Sequence, residues 1–220
     1  MSLALFDLDE TLLAADCDVL WGEYLCREGL VDADAYRALN QAFYRDYKTG
    51  NFDVAAYLEF VADPLGRHPR AHLEHHRQRY VERDVMPIVL GQARDLIERH
   101  RAAGDHPVIV TATLDFVSTA VATLFGVDDV IAPVAELVGG RYTGRTVGVA
   151  SFGPGKVTRV REWLAAGHSA ETLEDSWFYS DSMNDLPLLE AVTRPVAVDP
   201  DARLRAEARR RNWPIVSLRE

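Results

Sequence analysis

The chain has 220 residues, of which 48% are hydrophobic and 26% are charged, and its formal net charge is −10. This size and composition are typical of a soluble globular protein with one α/β domain and room for a smaller second one. The negative charge argues against non-specific binding to nucleic acid or to an anionic membrane. The two cysteines make no disulfide framework, and no signal peptide or membrane-spanning stretch is evident, so we expect a cytoplasmic protein.

The first element is a short apolar run at residues 4–6, which is followed by two carboxylates, Asp7 and Asp9. The length of the run suits a buried strand better than a helix. Side chains at positions i and i+2 of an extended chain project to the same side, so the two acids crowd one another unless a cation or a proton compensates. At the carboxyl end of a central parallel strand they suggest a site for Mg²⁺. Short motifs have many false positives, however, and two surface acids that cap the next turn are the ordinary alternative.

Residues from about 16 to 85 have helical periodicity and contain no convincing strand. Four helices are predicted there. Start and stop signals stand at Gly29, Asp32, Gly50, Asp53 and Asp63–Pro64, and the fourth helix covers roughly residues 70–83. Four helices directly after the first strand predict a helical module that stands over the carboxyl edge of the sheet.

After Pro87 the pattern changes to helices that alternate with short apolar strands. A helix is predicted from Pro87 to a glycine stop at Gly104, and the glycine-rich segment 139–144 is predicted to be the turn of a β-hairpin. The strongest strand candidates are residues 106–111, 130–132, 177–179, 195–198 and 214–216. This alternation implies right-handed crossovers and a doubly wound, mainly parallel sheet in an α/β fold.

The predicted domain division follows from this change of pattern. Residues 1–14 and 86–220 form an α/β core, and residues 15–85 form an all-helical cap that is inserted after the first strand.

Polar side chains stand at the ends of several predicted strands. Thr111 ends the second strand, Asp181 follows a later one, and Lys156 opens the helix that precedes that later strand. In a doubly wound sheet these points can meet Asp7 and Asp9 at one edge. The acids are suited to Mg²⁺, while the hydroxyl, the lysine and backbone N–H groups are suited to a phosphoryl group.

With these residues the chain resembles a phosphohydrolase of the haloacid dehalogenase (HAD) superfamily. The resemblance is to subfamily IB, which carries an all-helical cap after the first strand of a Rossmann-like core and includes phosphoserine phosphatase. The family's motifs are matched in order by Asp7-Leu8-Asp9-Glu10-Thr11, Val108-Ile109-Val110-Thr111-Ala112-Thr113, Lys156 and Ser180-Asp181-Ser182-Met183-Asn184-Asp185. The match runs from Ala4 to about Val198, which is nearly the whole chain.

The resemblance implies catalytic and metal-binding roles for three acids. Asp7 is expected to be the nucleophile that forms an aspartyl-phosphate. Asp9 is expected to protonate the leaving group and later to activate water, and it contacts Mg²⁺ only through its backbone carbonyl. Asp181 completes the protein ligands of Mg²⁺, and Asp185 is expected to orient a metal-bound water.

The resemblance also implies a phosphate-binding set. Lys156 is expected to neutralise the phosphate charge, while Thr111 and the N–H groups of Ala112 and Thr113 hold the phosphoryl oxygens. Asn184 is expected to reach either the phosphate or the leaving group.

The cap is expected to choose the leaving group. Asp16 falls near the place where phosphoserine phosphatases hold the substrate amine, and Asp18 lies beside it. After the stretch that begins at Gly50, Tyr57 stands where an arginine for the substrate carboxylate is expected, and residues 111–113 replace a serine and two glycines. These departures favour an amine-bearing phosphomonoester without a carboxylate, such as histidinol phosphate, over phosphoserine.

Three alternatives remain open at this point. The chain is compatible with a phosphoserine phosphatase, and a phosphomutase or phosphotransferase would share all four motifs. Receiver domains of signalling relays also join acids, a hydroxyl, a lysine and Mg²⁺ around a phosphorylatable aspartate. They have no large cap, however, and they lack an acid two residues after that aspartate. We expect a small phosphomonoester as substrate and no nucleic-acid or membrane partner, and the oligomeric state stays open.

Overall fold

The computed structural model describes residues 2–49, 51–167 and 172–219. In this part of the chain the centre is a six-stranded sheet with the spatial order β3-β2-β1-β6-β7-β8, and every neighbouring pair is parallel. A separate antiparallel hairpin is formed by β4 and β5. The strands are β1 (Leu3–Phe6), β2 (His106–Val110), β3 (Asp129–Ile131), β4 (Val134–Val138), β5 (Arg141–Val147), β6 (Ser176–Ser180), β7 (Arg194–Val198) and β8 (Ile215–Val216).

Nine α-helices accompany these strands in the described segments. They are α1 (Cys17–Arg27), α2 (Ala33–Thr49), α3 (Val54–Arg67), α4 (Arg70–Tyr80), α5 (Gly91–Ala102), α6 (Asp115–Ala122), α7 (Pro154–Ala165), α8 (Leu186–Ala191) and α9 (Ala202–Arg211). The first four follow β1 directly and form the predicted helical cap, so the predicted fold class is confirmed. None of these helices is both long enough and apolar enough to cross a bilayer.

Strand β1 is apolar along its whole length because both faces of the sheet are covered. Ala4 and Phe6 pack in one hydrophobic cluster, while Leu3 and Leu5 pack in another on the opposite face. Asp7 is the first residue beyond the strand, and its N–H still donates to the carbonyl of Tyr179 on β6. The strand therefore holds Asp7 at a fixed height on the carboxyl edge of the sheet.

Cap and core share one hydrophobic cluster. Trp21 and Tyr24 of α1 belong to the same cluster as Phe6 of β1 and Phe116 of α6, and the rings of Trp21 and Phe116 lie 5.8 Å apart. The hairpin adds a backbone contact, because a Cβ on Gly66 of α3 would lie 2.9 Å from backbone atoms of Thr143 and Gly144. The cap is thus packed against the core on two sides.

Two predicted helix boundaries are wrong. Helix α3 continues through Pro64 to Arg67. A proline inside a helix costs a backbone hydrogen bond, but here the last turn carries the buried Leu65 and the close contact of Gly66 with the hairpin. Pro87 lies in a short 3₁₀ helix at Met86–Ile88, but the continuous α-helix expected from that point begins only at Gly91. The chain enters the cap after β1 and leaves it before α5. These two connecting segments pair with each other, because Leu13 and Val89 form an antiparallel bridge.

The hairpin turn is shorter than the predicted segment 139–144. It consists of Gly139 and Gly140, whose φ angles of 58° and 79° suit a tight two-residue turn, and strand pairing resumes at Arg141. The predicted stop at Gly50 lies outside the described residues, and the domain boundaries at 14/15 and 85/86 stay a prediction.

Candidate active site

Three neighbouring strands bring their polar ends to one edge of the sheet. Strand β1 lies between β2 and β6, so Asp7, Thr111 and Asp181 follow adjacent parallel strands. The spatial order of the strands reverses beside β1, which is the position where open α/β sheets form their binding crevice. The grouping that the sequence predicts is therefore present at this edge.

Lys156 is the positive charge of this group. Its Nζ donates to Asp7 Oδ1 at 2.7 Å and to Asp185 Oδ2 at 2.7 Å, and the lysine is only 3% exposed. Burial opposes the charged form, but Asp185 and Asp7 outweigh it and hold the pKa of Lys156 above its usual range. Charge-assisted bonds of this length fix the Asp7 carboxylate in one orientation.

Asp185 holds Lys156 from the other side. Its Oδ2 also accepts a hydrogen bond from Ser180 Oγ at 2.8 Å, and burial raises the pKa of Asp185 to about 6 against the attraction of Lys156. As the residue before α8, Asp185 makes no side-chain capping bond to that helix. Its side chain is therefore committed to the lysine, while its role towards a metal-bound water stays a prediction.

Thr11 joins the two acids of the predicted metal site and received no role from the sequence. Its Oγ1 lies 3.0 Å from Asp181 Oδ1 and 3.4 Å from Asp7 Oδ2, and it accepts the N–H of Asp181 at 3.1 Å. The only signal for Thr11 in the sequence was its place in the first motif, four residues after Asp7.

The residues at this point fit a divalent cation. Burial, with the charge of Asp7 added to it, raises the pKa of Asp181 to about 9, so the ionised form of Asp181 is unfavourable unless a further positive charge lies beside it. Carboxylate oxygens are the ligands that Mg²⁺ prefers. The ligand set expected from the sequence, two carboxylates and the backbone carbonyl of Asp9, stays a prediction.

We expect Asp181→Asn to raise the melting temperature of the metal-free protein at neutral pH by about 2–4 °C. A carboxyl whose pKa is higher in the folded than in the unfolded state binds its proton more tightly when folded. The free energy of unfolding therefore falls as the pH rises from the unfolded value of about 4 towards the folded value. Thermal unfolding in EDTA measures the effect, and the exposed Asp95→Asn on α5 is the control. Added Mg²⁺ should stabilise the wild type but not Asp181→Asn, and an equal gain in both would contradict the metal site.

Both side-chain oxygens of Asp9 accept short hydrogen bonds. The N–H of Cys17, the first residue of α1, donates to Oδ1 at 2.7 Å, and the Thr113 hydroxyl donates to Oδ2 at 2.7 Å. The hydroxyl of Thr111 lies farther from Oδ2, at 3.4 Å. Burial is the main reason that the pKa of Asp9 is raised to about 6, where a carboxyl can both donate and accept a proton near neutral pH.

The predicted phosphate-binding residues lie beside this acid. Thr111 is fully buried, and its Oγ1 accepts the N–H of Thr113 at 3.1 Å, while Ala112 between them is half-buried. Asn184 is half-buried, and its Nδ2 donates to the hydroxyl of Tyr47 on α2 at 2.6 Å. Its predicted contact with the phosphate or leaving group stays a prediction.

The cap contributes two acids near Asp9. Asp16 caps α1 by accepting the N–H groups of Asp18 and Val19, and Asp18 Oδ2 accepts the hydroxyl of Tyr57 at 2.7 Å. Burial raises the pKa of both acids to about 7, with Asp9 adding to the effect at Asp16 and Asp16 adding to it at Asp18. A cation placed between them would stabilise the ionised forms of both.

Aromatic side chains close the cap against the core loop before Lys156. Phe52, in the segment between α2 and α3, contacts Phe152 of that loop with ring centroids 5.5 Å apart, and it also contacts Tyr57 at 5.3 Å. Neither Phe52 nor Phe152 was predicted at the site, because nothing in the sequence relates these two distant residues.

Comparisons with known proteins identify the family of this chain. A family model described as haloacid dehalogenase-like hydrolase matches residues 4–190. A relative from Neisseria meningitidis serogroup C, named histidinol-phosphatase, is 40% identical over 220 residues, or 99% of each chain. The crystal structure of a protein of unknown function from Bordetella pertussis Tohama I has a TM-score of 0.93 at 42% identity, covering 99% of this chain and 98% of that one.

A more distant structure has the same fold. A substrate-bound phosphoserine phosphatase has a TM-score of 0.68 at 18% identity, covering 100% of this chain and 94% of its own. The family match contains Asp7, Lys156, Asp181 and Asp185, which the fold brings together. The predicted class of enzyme, a phosphatase, is confirmed. The chain belongs to the haloacid dehalogenase-like hydrolase family.

Proposed function

We propose that this protein is a Mg²⁺-dependent phosphomonoester hydrolase that works through an aspartyl-phosphate on Asp7. The observation that carries the proposal is the buried lysine that bridges Asp7 and Asp185 beside Asp181. Asp7, Asp181 and the backbone carbonyl of Asp9 would hold Mg²⁺, which supplies charge neutralisation between the Asp7 carboxylate and the phosphate dianion when bound.

The first half-reaction transfers the phosphoryl group to Asp7. A carboxylate oxygen of Asp7 forms a bond to phosphorus while the bond from phosphorus to the leaving oxygen breaks. The electron pair of the broken bond stays on the leaving oxygen, which takes the proton of the Asp9 carboxyl and departs as an alcohol. Lys156 and Thr111 hold the non-bridging oxygens, where negative charge is spread in the transition state.

The second half-reaction returns the enzyme to its starting state. Asp9, now a carboxylate, takes a proton from water, and the resulting hydroxide oxygen attacks phosphorus. The bond between Asp7 and phosphorus breaks, inorganic phosphate is released, and Asp9 is again protonated. This double role agrees with the pKa of about 6 that burial gives Asp9.

For the leaving group we propose a small metabolite that carries an amine, with histidinol phosphate as the leading candidate. Asp16 and Asp18 place two acids on the cap side of Asp9, and a relative that matches the whole chain is named histidinol-phosphatase. Tyr57 donates to Asp18, and it stands at the position where a phosphoserine phosphatase would have an arginine. A substrate carboxylate would therefore meet acids rather than a cation.

A panel of phosphomonoesters assayed with Mg²⁺ tests this choice. We expect kcat/KM for histidinol phosphate to exceed that for phosphoserine by about tenfold or more. Both esters carry an amine, but phosphoserine also brings a carboxylate next to the acids of the cap, and a like-charge repulsion of about 1.4 kcal/mol already gives a factor of ten. Equal or faster turnover of phosphoserine would refute the preference. Product analysis for free phosphate would separate hydrolysis from transfer to a second acceptor.

We further expect Asp18→Asn to raise the KM for histidinol phosphate about tenfold. The KM for p-nitrophenyl phosphate, which has no amine, should stay nearly unchanged. The asparagine keeps an acceptor for the Tyr57 hydroxyl but loses the charge. Steady-state kinetics with both esters measures the split, and Asp34→Asn, an exposed acid in the first turn of α2, is the matched control. A parallel loss with both esters would point to a general effect on the cap instead.

Two buried, unpaired cysteines, Cys17 and Cys26, support a reducing compartment, and we place the protein in the cytoplasm.

A further inference from the structure

The two oxygens of Asp9 have partners of different chemistry. Oδ1 accepts the backbone N–H of Cys17, and Oδ2 accepts the hydroxyl of Thr113, each at 2.7 Å. A backbone N–H can only donate, whereas a hydroxyl can donate or accept. A proton on Oδ1 would compete with the Cys17 hydrogen at that oxygen and weaken the bond, but a proton on Oδ2 can be accommodated by rotation of the Thr113 hydroxyl.

We propose that Oδ2 is the oxygen of Asp9 that carries the proton and that Thr113 is the positioning residue for it. Thr113 accepts from the protonated carboxyl before transfer and donates to the carboxylate after transfer, so one hydroxyl serves both states. The inference rests on the proposed function, since it assigns how the acid of that reaction is held.

The proton balance is that of the proposed reaction. The leaving oxygen receives the electron pair of the breaking bond to phosphorus together with the proton from Asp9 Oδ2, and it departs as a neutral alcohol or phenol. The carboxylate that remains then accepts the Cys17 N–H on Oδ1 and the Thr113 hydroxyl on Oδ2, with the Cys17 thiol and the more distant Thr111 hydroxyl as further donors. The negative charge that remains on Oδ2 after proton transfer is thereby stabilised by the Thr113 hydroxyl.

Thr113 is itself held in place. It is 3% exposed, and its N–H donates to the fully buried Thr111 hydroxyl, so its backbone is tied to the end of β2. Thr111 lies 3.4 Å from Asp9 Oδ2 and makes the longer of the two contacts. Cys17 belongs to the cap, so Asp9 is fixed between core and cap through its two oxygens.

Leaving-group dependence distinguishes this role from a purely structural one. Phenyl phosphate and p-nitrophenyl phosphate have similar shapes, but phenolate is the poorer leaving group and needs the proton more. The ratio kcat/KM covers steps up to the first irreversible one, which here is release of the phenol. The second half-reaction therefore does not enter the comparison.

We expect Thr113→Val, which keeps the backbone N–H and the side-chain shape, to lower kcat/KM for phenyl phosphate about tenfold to a hundredfold. The loss of kcat/KM for p-nitrophenyl phosphate in the same variant should be at least about fivefold smaller, because general acid catalysis matters little there. Thr113→Ser keeps the hydroxyl and should restore both values. If the valine variant does not fold, Thr113→Ala carries the same expectation.

The matched control is Ser118→Ala on α6, which removes another buried hydroxyl, bonded to the carbonyl of Leu114. This variant should leave kcat/KM for both esters unchanged. Three results would each overturn the proposal. They are an equal loss of kcat/KM for both esters in Thr113→Val, full activity of that variant, and failure of Thr113→Ser to restore kcat/KM. If the wild type releases phosphate neither from these two esters nor from histidinol phosphate with Mg²⁺, the proposed function itself has failed.

Discussion

Replacing Asp7 by asparagine is expected to lower the rate of phosphate release about a thousandfold or more, whatever the phosphomonoester. An amide oxygen does not attack phosphorus to form a stable acyl-phosphate, so the covalent route is lost. The fold should persist, because Lys156 keeps its bond to Asp185 and is not left as an unpaired buried charge. Initial rates of phosphate release with Mg²⁺ measure the loss, and thermal unfolding checks the fold.

The exposed variant Asp95→Asn serves again as the control for this experiment and should keep the wild-type rate. A folded Asp7→Asn protein that also keeps that rate would rule out Asp7 as the nucleophile.

The second large effect is expected for Lys156→Met. Removing one partner from a buried ionic group commonly costs about 3–5 kcal/mol of unfolding free energy, because the remaining charges lose their compensation. Here Asp7 and Asp185 would face one another without the ammonium that both now contact at 2.7 Å. Phosphate release should fall by about a hundredfold or more, since the lysine also offsets charge in the transition state.

Urea denaturation of the metal-free protein at two pH values measures the stability effect. Without Lys156 the two carboxyls bind protons more tightly in the folded state, so the deficit relative to wild type should narrow as the pH is lowered. Arg161→Met, an exposed cation on the same helix, is the matched control. If both variants are equally stable and active, the lysine neither holds the site together nor assists the reaction.

Much of the fold was predictable because its signals are local. The apolar run of β1 and the acids that follow it lie within seven residues, and the change from helical periodicity to alternating strands and helices marks the insertion. The predicted helix boundaries were wrong where a tertiary contact outweighed a local sequence preference. Helix α3 passes through Pro64 because its last turn packs against the hairpin. Residues 86–88 form only a single 3₁₀ turn, because the chain after it pairs with Leu13 through Val89.

The residues of the site could be predicted from the sequence, but the hydrogen bonds between them could not. Strand ends identified Asp7, Thr111 and Asp181 as neighbours, since parallel strands bring their carboxyl ends together. The bridging position of Thr11, the bond from Thr113 to Asp9 and the contact of Cys17 with the same acid depend on side-chain directions and on how the cap sits. These relations join residues that no sequence spacing connects.

The central claim is that Asp7 carries the phosphoryl group during turnover. Rapid mixing of the enzyme with a phosphomonoester and Mg²⁺, followed by an acid quench and peptide mass spectrometry, tests it directly. We expect a hydroxylamine-sensitive phosphoryl group on the peptide that contains Asp7, formed and lost at rates compatible with kcat and missing in Asp7→Asn. Steady turnover with a phosphoryl group on another residue, or with none on any peptide at every quench time, would contradict it.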